Sequence, residues 1–323
     1  MNTFFPMLKN VIIFILLAVP GYVLVKCKCL KSEHSGVLSK LLTLVGMPFL
    51  ILSGMLGVDL NGETALNLLW AALISTVLTL FFFFLSGALV VDSKKDKGDL
   101  LWDKKVKGMQ RFCAIFSNNG FLGLPLAAAV FGASSKVVTY LVVVNIMNNT
   151  LIYTLGTYLV SGDKRTMDLK KVILNPVLIS FVLGIILNLV GIKKYLPEVQ
   201  SYSDYFKGIV TPLSMTILGI KMAGIKFSAV FTSWKNYYVA FIKLVLVPTF
   251  SVAVTMCICN FTNVDFLMVM TMFVAFAMPT AALSTALADT HDGDTQNGTI
   301  YTLGNTVLSV ITIPLLYLLL CIF

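Results

Sequence analysis

Long apolar runs separated by short polar stretches make up most of this chain. A helix that spans a membrane needs about 20 apolar residues, and ten segments of the chain reach roughly this length. They lie at about 6–25, 35–57, 65–91, 112–131, 136–160, 172–192, 207–225, 236–260, 264–288 and 296–322. Little sequence remains between them. The pattern therefore predicts an all-α polytopic membrane protein with ten transmembrane helices, numbered in chain order, and no sizeable soluble domain.

Proline positions suggest that the ten helices form two halves of five, residues 1–160 and 161–323. Helices 2 and 7 each contain a proline, Pro48 and Pro212, and so do helices 4 and 9, Pro125 and Pro279. An odd number of helices in each half inverts the second half relative to the first. The sequence therefore predicts two inverted five-helix repeats.

Helix 4 carries polar residues and helix breakers at its centre, in the stretch SNNGFLGLPL from Ser117 to Leu126. Proline removes a backbone donor, and glycine adds backbone freedom. In lipid, such a break persists only where protein or a wet cavity satisfies the freed backbone groups. Breaks at matching positions of two repeats point to a transport site. We therefore predict broken helices 4 and 9 beside a substrate-binding site.

Asparagines accompany these breaks. Asn145, Asn148 and Asn149 share one face of helix 5, because they follow i, i+3, i+4 spacing. Two interpretations remain open for these amides: contact with a substrate, or hydrogen bonds between helices. The candidate substrate-binding residues are Asn118, Asn119, Gly120, Pro125, Asn145, Asn149, Pro279, Thr280 and Asn305.

Composition and charge support a membrane location. Hydrophobic residues make up 58% of the chain, charged residues 12%, and the mean hydropathy is +0.90. Soluble domains carry about 25% charged residues. The net charge of +9 could suggest nucleic acid in a soluble protein, but here the basic residues lie between apolar runs. We therefore expect membrane lipids and no nucleic acid as partners.

The distribution of basic residues predicts the orientation. Of the 24 Lys and Arg residues, sixteen follow helices 1, 3, 5 and 7, five lie on the opposite side, and three fall within helices. Cytoplasmic loops carry the excess of Lys and Arg. We therefore expect a multi-pass protein of the plasma membrane with the basic loop 92–111 in the cytoplasm and both termini outside.

Few ionisable residues fall within the apolar segments. Lys221 and Lys243 do, and each either extends its amine to the interface or provides a cation for an anionic substrate. No carboxylate lies well inside a predicted helix, and no paired carboxylates or histidine cluster suggests an enzyme. We expect no cofactor and no metal site, while Na⁺ or H⁺ remains open as a coupling ion.

The motif SNNGFLGLPLAAAVFG, Ser117–Gly132, resembles the auxin efflux carrier family, which includes bacterial malate-permease-like transporters and plant PIN proteins. The family pattern reads Asn-Thr-Gly-Phe-Leu-Gly-Ile-Pro-Leu, so Asn119 stands where the family often has threonine. Pro279 followed by ALADTHDGD and then by TVLSVITIPLL, Thr306–Leu316, resembles the family's last two helices. By this resemblance, Asn118, Pro125 and Pro279 mark the site where the two broken helices cross.

The resemblance implies a fold and a mechanism. Helices 4 and 9 would cross at their breaks. Helices 1, 2, 6 and 7 would form a scaffold, and helices 3–5 and 8–10 a transport part that moves like an elevator. The implied substrates are small organic anions, carboxylates, and the implied assembly is a homodimer. Two alternatives stay open: a sodium-coupled transporter similar to bile-acid symporters, and a membrane receptor or sensor derived from a transporter.

Overall fold

The computed structural model describes residues 4–90, 100–167, 170, 173–224 and 233–322, and these residues form helices without a β-strand. Residues 92–99 of the expected cytoplasmic loop lie outside the described residues. The α-helices are α1 (Phe4–Lys26), α2 (Ser35–Leu41), α3 (Met47–Gly57), α4 (Gly62–Leu89), α5 (Leu100–Ile115), α6 (Leu124–Phe131), α7 (Lys136–Leu151), α8 (Thr157–Ser161), α9 (Pro176–Val190), α10 (Ile192–Tyr195), α11 (Glu198–Gly208), α12 (Val210–Ala223), α13 (Trp234–Phe241), α14 (Val247–Phe261), α15 (Leu267–Ala277), α16 (Leu283–Thr290) and α17 (Thr295–Ile322).

Five helical runs in the described part of the chain are long and apolar enough to cross a membrane. They are Ser32–Gly57, Gly62–Leu89, Lys136–Ser161, Trp234–Phe261 and Thr295–Leu320, and they coincide with predicted helices 2, 3, 5, 8 and 10. Shorter apolar helices occupy other predicted segments, for example Pro176–Val190 and Leu267–Ala277. The protein is an all-α multi-pass membrane protein, and the number of ten spans stays a prediction.

Three prolines follow directly on π-helical turns. The turns Leu42–Gly46, Asn119–Gly123 and Ile242–Leu246 each lead into a helix with proline near its start: Pro48, Pro125 and Pro248. A proline ring crowds the carbonyl four residues earlier, and that carbonyl lies within the π turn each time. A wider turn relieves this crowding. These prolines therefore widen their helices without ending them.

Two helical segments differ from the hydropathy pattern. Helix α5 starts at Leu100, so residues 100–111, which the sequence placed in the cytoplasmic loop, form its first turns. Helix α11 was not predicted at all. Both segments are amphipathic and rich in charged or polar residues, and a search for apolar runs therefore misses them.

The chain divides into two compact units. Unit 1 contains Met1–Leu69, Gly120–Val143 and Ile173–Lys226, and unit 2 contains Trp70–Asn119, Val144–Val172 and Phe227–Phe323. The chain passes between the units within α4, within α7 and within the π turn that starts at Asn119.

Close helix pairs build unit 1. Helix α1 packs on α12 with glycines at the contact: a Cβ on Gly21 would overlap the Thr216 carbonyl, and one on Gly219 would overlap the Ala18 carbonyl. Small residues of this kind let membrane helices approach closely. Helices α9 and α11 both pack on α3. Asn188 Nδ2 donates to the carbonyls of Met55 at 2.7 Å and Val58 at 2.9 Å, at the carboxyl end of α3.

Unit 2 has the candidate site at its core. Helix α14 packs on α15, α13 and α16 pack on α17, and α5 packs on α8. Gly108 of α5 meets the backbone of Leu159 in α8, where a Cβ would not fit. Phe112, Phe116 and Tyr301 are fully buried among these helices. The close packing holds the ends of α5 and α15 in a defined position.

Candidate functional site

Two helix breaks pair with each other inside unit 2. Helix α5 ends at Ile115, and residues 116–118 are not helical; α15 ends at Ala277, and the next helix begins at Leu283. Ser117 and Thr280 form an isolated antiparallel bridge between the two breaks. Residues 163 positions apart in sequence are thereby joined.

Backbone hydrogen bonds hold this pairing. The N–H of Asn118 donates to the carbonyl of Pro279 at 2.8 Å, and the N–H of Ala281 donates to the carbonyl of Phe116 at 2.9 Å. Buried backbone groups need partners, above all where no water reaches them. Each break therefore provides backbone hydrogen-bond partners for the other, in place of the partners that a continuous helix would have had.

Lys243 lies at the ends of both broken helices and is fully buried. Its Nζ donates to Ser117 Oγ at 2.5 Å, to the Ile115 carbonyl at 3.3 Å and to the Phe276 carbonyl at 3.2 Å. It forms no ion pair with a carboxylate among the described residues. The amine does not extend to the membrane interface, so that interpretation of Lys243 is wrong. Tertiary partners within the core hold the side chain there.

A second hydrogen-bond network surrounds Thr280. Its Oγ1 donates to the Cys113 carbonyl at 2.6 Å and accepts from Asn305 Nδ2, also at 2.6 Å. Asn305 Nδ2 also lies 3.4 Å from the Cys113 carbonyl. This network links α5, the second break and α17 through fully buried side chains.

The asparagines of α7 play two different parts. Asn148 Nδ2 donates to the Ser117 carbonyl at 2.9 Å and so supports the first break. Asn145, one turn earlier on the same face, is 1% exposed, and neither its Nδ2 nor its Oδ1 has a partner among the described residues. The Oδ1 atoms of Asn119 and Asn305 are likewise buried without a partner in that part of the chain. Buried polar groups of this kind cost about 1–3 kcal/mol each, so they are suited to bind something else.

The structure distributes the candidate residues as follows. Unit 2 holds Asn118, Asn119, Asn145, Asn149, Pro279, Thr280 and Asn305, whereas Gly120 and Pro125 belong to unit 1. Hydrogen bonds join Asn118 to Pro279 and Thr280 to Asn305 directly. Pro125 follows the π turn and is not part of the first break, whose centre is Ser117.

Sequence reasoning left Ser117, Asn148 and Lys243 out of the candidate set. Ser117 opens the quoted motif, and Asn148 lies on the recognised asparagine face. Both were visible as polar residues in apolar segments. Only the fold shows that Ser117 contacts Lys243 and Asn148.

Comparison with known families decides the class of protein. A family model described as membrane transport protein matches the chain twice, at residues 6–169 and 164–317. The chain belongs to this family. It is the auxin efflux carrier family indicated by the Ser117–Gly132 motif, and that assignment is confirmed. As a member of the auxin efflux carrier family, the chain is a membrane transport protein.

Two curated relatives extend this comparison. A protein of Methanothermobacter thermautotrophicus, named as an uncharacterized transporter, is 26% identical over 311 residues, 95% of this chain and 96% of its own length. A protein of Methanocaldococcus jannaschii, also named as an uncharacterized transporter, is 27% identical over 221 residues, 66% of this chain and 68% of its own length. The similarity to the first relative therefore extends over almost the whole chain.

Proposed function

We propose that this member of the auxin efflux carrier family is a secondary transporter of a small organic anion, a carboxylate, which binds at the paired breaks of unit 2. The observation that carries the proposal is Lys243, a fully buried lysine side chain without a carboxylate partner among the described residues. A charge in a medium of low dielectric constant attracts an opposite charge far more strongly than in water. Ionisable residues inside a membrane protein usually mark a substrate pathway.

The unpartnered amides supply the chemistry of recognition. Asn145 Nδ2 can donate to a carboxylate oxygen, and the Oδ1 atoms of Asn119 and Asn305 can accept from a hydroxyl of the same molecule. Ligand sites combine a few such oriented polar groups with apolar walls. A carboxylate satisfies both the positive charge and the buried amide donor.

The proposed movement is elevator-type alternating access. In this proposal the ten helices form two inverted repeats, predicted helices 4 and 9 cross at their breaks, and a transport part moves against a scaffold. The division of the chain agrees with this for part of the expected arrangement: predicted helices 1, 2, 6 and 7 fall in unit 1 and helices 8–10 fall in unit 2, whereas helices 3–5 each contribute residues to both units. The family model matches once in each half, which supports the repeat.

The proposed location is the plasma membrane, and the proposed assembly is a homodimer.

Uptake into proteoliposomes tests the function. We expect uptake of at least one compound from a panel of mono- and dicarboxylates. The Asn118→Ala variant should reduce uptake about tenfold or more with little change in melting temperature, because its amide serves the substrate. Pro279→Ala should reduce uptake similarly, because it alters the second break.

Two results would count against the proposal. Absence of uptake of every carboxylate, under all ion gradients and voltages, would contradict transport of an organic anion. Unchanged uptake by Asn118→Ala together with a lower melting temperature would assign that residue to the fold.

A further inference from the structure

Lys243 contacts the groups that hold cations in carriers with broken helices. In such carriers, unwound backbone carbonyls and the carboxyl ends of half-helices coordinate the coupling Na⁺. The Ile115 carbonyl is the last of α5, and the Phe276 carbonyl lies in the last turn of α15. Both accept a hydrogen bond from Lys243 Nζ, and the Ser117 hydroxyl completes the set.

The number of partners fits an ammonium group. Lysine in its charged form has three N–H donors and no acceptor, and Nζ has three oxygen partners at 2.5, 3.2 and 3.3 Å. Carbonyls at the carboxyl end of a helix have no partner within it, and the helix dipole there favours positive charge. The two half-helices therefore stabilise the charge that burial alone would disfavour.

The side chain is also held in place. Lys243 lies in the π-helical turn Ile242–Leu246, which precedes Pro248. Ile242 and Leu244, its neighbours in the chain, are both buried. This π turn is buried, and it therefore holds the Lys243 amine between the ends of α5 and α15.

We infer that Lys243 is a resident cation of the substrate site, in the position that a bound coupling cation takes in sodium-driven carriers. The transporter then binds its anion without Na⁺. This inference rests on the proposed function for the identity of the substrate, but the cation position can be tested on protein stability alone.

Removal of the amine should convert this position into a cation site. The Lys243→Ala variant leaves two carbonyl oxygens and a hydroxyl oxygen without their donor. Oxygen atoms of this kind are the ligands that hard cations prefer. We therefore expect the variant to bind Na⁺, which the wild-type protein does not bind at this position.

The experiment compares melting temperatures of the purified full-length protein in sodium chloride and in choline chloride at equal ionic strength. The wild-type protein should melt at the same temperature in both salts. Lys243→Ala should melt lower than the wild type in choline chloride and recover part of the loss in sodium chloride. Lys221→Ala, which removes a half-buried lysine from α12 of unit 1, should show no difference between the salts. Ser117→Ala keeps the Lys243 amine, so its melting temperature should also be the same in both salts.

Two results would overturn the inference: specific stabilisation of the wild-type protein by Na⁺, or equal melting temperatures of Lys243→Ala in both salts. Where Lys243→Ala does not fold, carboxylate uptake by the wild type decides. Equal rates in sodium and choline salts support the inference, and a rate that rises about tenfold with Na⁺ refutes it. A sodium response of Lys243→Ala without uptake of any carboxylate by the wild type would refute the proposed function and leave the cation position intact.

Discussion

At the scale of single residues, the core of unit 2 contains two kinds of buried polar group. Lys243, Thr280 and Asn148 have hydrogen-bond partners, so they stabilise the paired breaks. Asn145 is equally buried and has no partner among the described residues. A polar group that destabilises the fold is expected where function requires it. The two kinds of residue should therefore respond to substitution in opposite ways.

The Asn145→Leu variant tests this difference. Leucine is similar in size and removes an amide that is buried without a partner, so the free energy of unfolding should stay equal or rise by up to about 1–3 kcal/mol. Carboxylate uptake should fall about tenfold or more, because the donor is lost. Thermal unfolding and proteoliposome uptake measure the two effects.

Asn148→Leu is the matched control, three residues along the same helix face. It removes the hydrogen bond to the Ser117 carbonyl, so its melting temperature should fall. Normal uptake by Asn145→Leu would show that this amide does not contact the substrate.

At the scale of helices, contact distance and turn geometry decide how the elements pack. Gly21 and Gly219 bring α1 and α12 close enough that a Cβ would overlap the facing backbone. The π turns before Pro48, Pro125 and Pro248 let helices continue through residues that would otherwise interrupt them. Interruption of α5 and α15 therefore requires more than proline, namely an alternative set of backbone partners.

The Gly219→Ala variant should destabilise the pair formed by α1 and α12. The added methyl group overlaps the Ala18 carbonyl, and overpacking typically costs about 1–3 kcal/mol. Gly36→Ala is the control, because a Cβ at Gly36 in α2 meets nothing within 4 Å. Thermal unfolding should show a lower melting temperature for the first variant only. Equal melting temperatures would mean that the helices separate without cost.

The docking of α11 on α3 should depend on pH. Burial by itself raises the pKa of Asp204, but hydrogen bonds from Lys207, Ser53 and Gln200, together with the charge of Lys207, lower it below its usual value. The carboxylate accepts from Ser53 of α3 at 2.6 Å. A lowered pKa means that the stabilisation is complete above the ordinary carboxyl range near 4 and is lost as pH falls through the lowered value.

Melting temperatures between about pH 3 and pH 7, from below the ordinary carboxyl range to well above it, test this dependence. The wild type should exceed Asp204→Asn at neutral pH, and the difference should shrink as the solution becomes acidic. Glu198→Gln on the same helix should show a much smaller change, because the exposed Glu198 carboxylate is not the group that binds Ser53 and Lys207. A constant difference across the range would rule out a contribution from the charge of Asp204.

At the scale of the whole molecule, the family assignment and the charge distribution describe different things. Membership in the auxin efflux carrier family makes the chain a multi-pass membrane transport protein. The excess of Lys and Arg after predicted helices 1, 3, 5 and 7 predicts its orientation. That orientation can be tested independently of any substrate.

Cysteine labelling tests the orientation. Cys27 and Cys29 are exposed and lie in the loop after α1, which should face the cytoplasm. With the other cysteines replaced by serine, a membrane-impermeant maleimide should label them only after the cells are permeabilised. A variant with Lys194→Cys as its only cysteine should be labelled in intact cells. Labelling of Cys27 and Cys29 in intact cells would reverse the orientation.

The sequence by itself determined the apolar segments, the asparagine face of α7 and the approximate positions of the breaks. These features are local: apolar residues partition into lipid wherever they lie, and polar residues or prolines in such segments need a special environment. It also carried the motif that identifies the family. The pattern of apolar runs did not predict the polar first turns of α5 or the helix α11, because amphipathic helices do not form apolar runs.

Only the tertiary structure decided what the breaks and Lys243 contact. The bridge between Ser117 and Thr280 joins residues 163 positions apart. The partners of Lys243 Nζ lie 126, 128 and 33 residues from it in the sequence. A lysine within an apolar segment can extend its amine to the interface or be buried in the protein. The hydropathy of the sequence is the same in both cases, so it cannot distinguish them. Packing brought oxygen atoms from two helix ends to this amine, and that set of long-range contacts holds the lysine side chain in the buried core of unit 2.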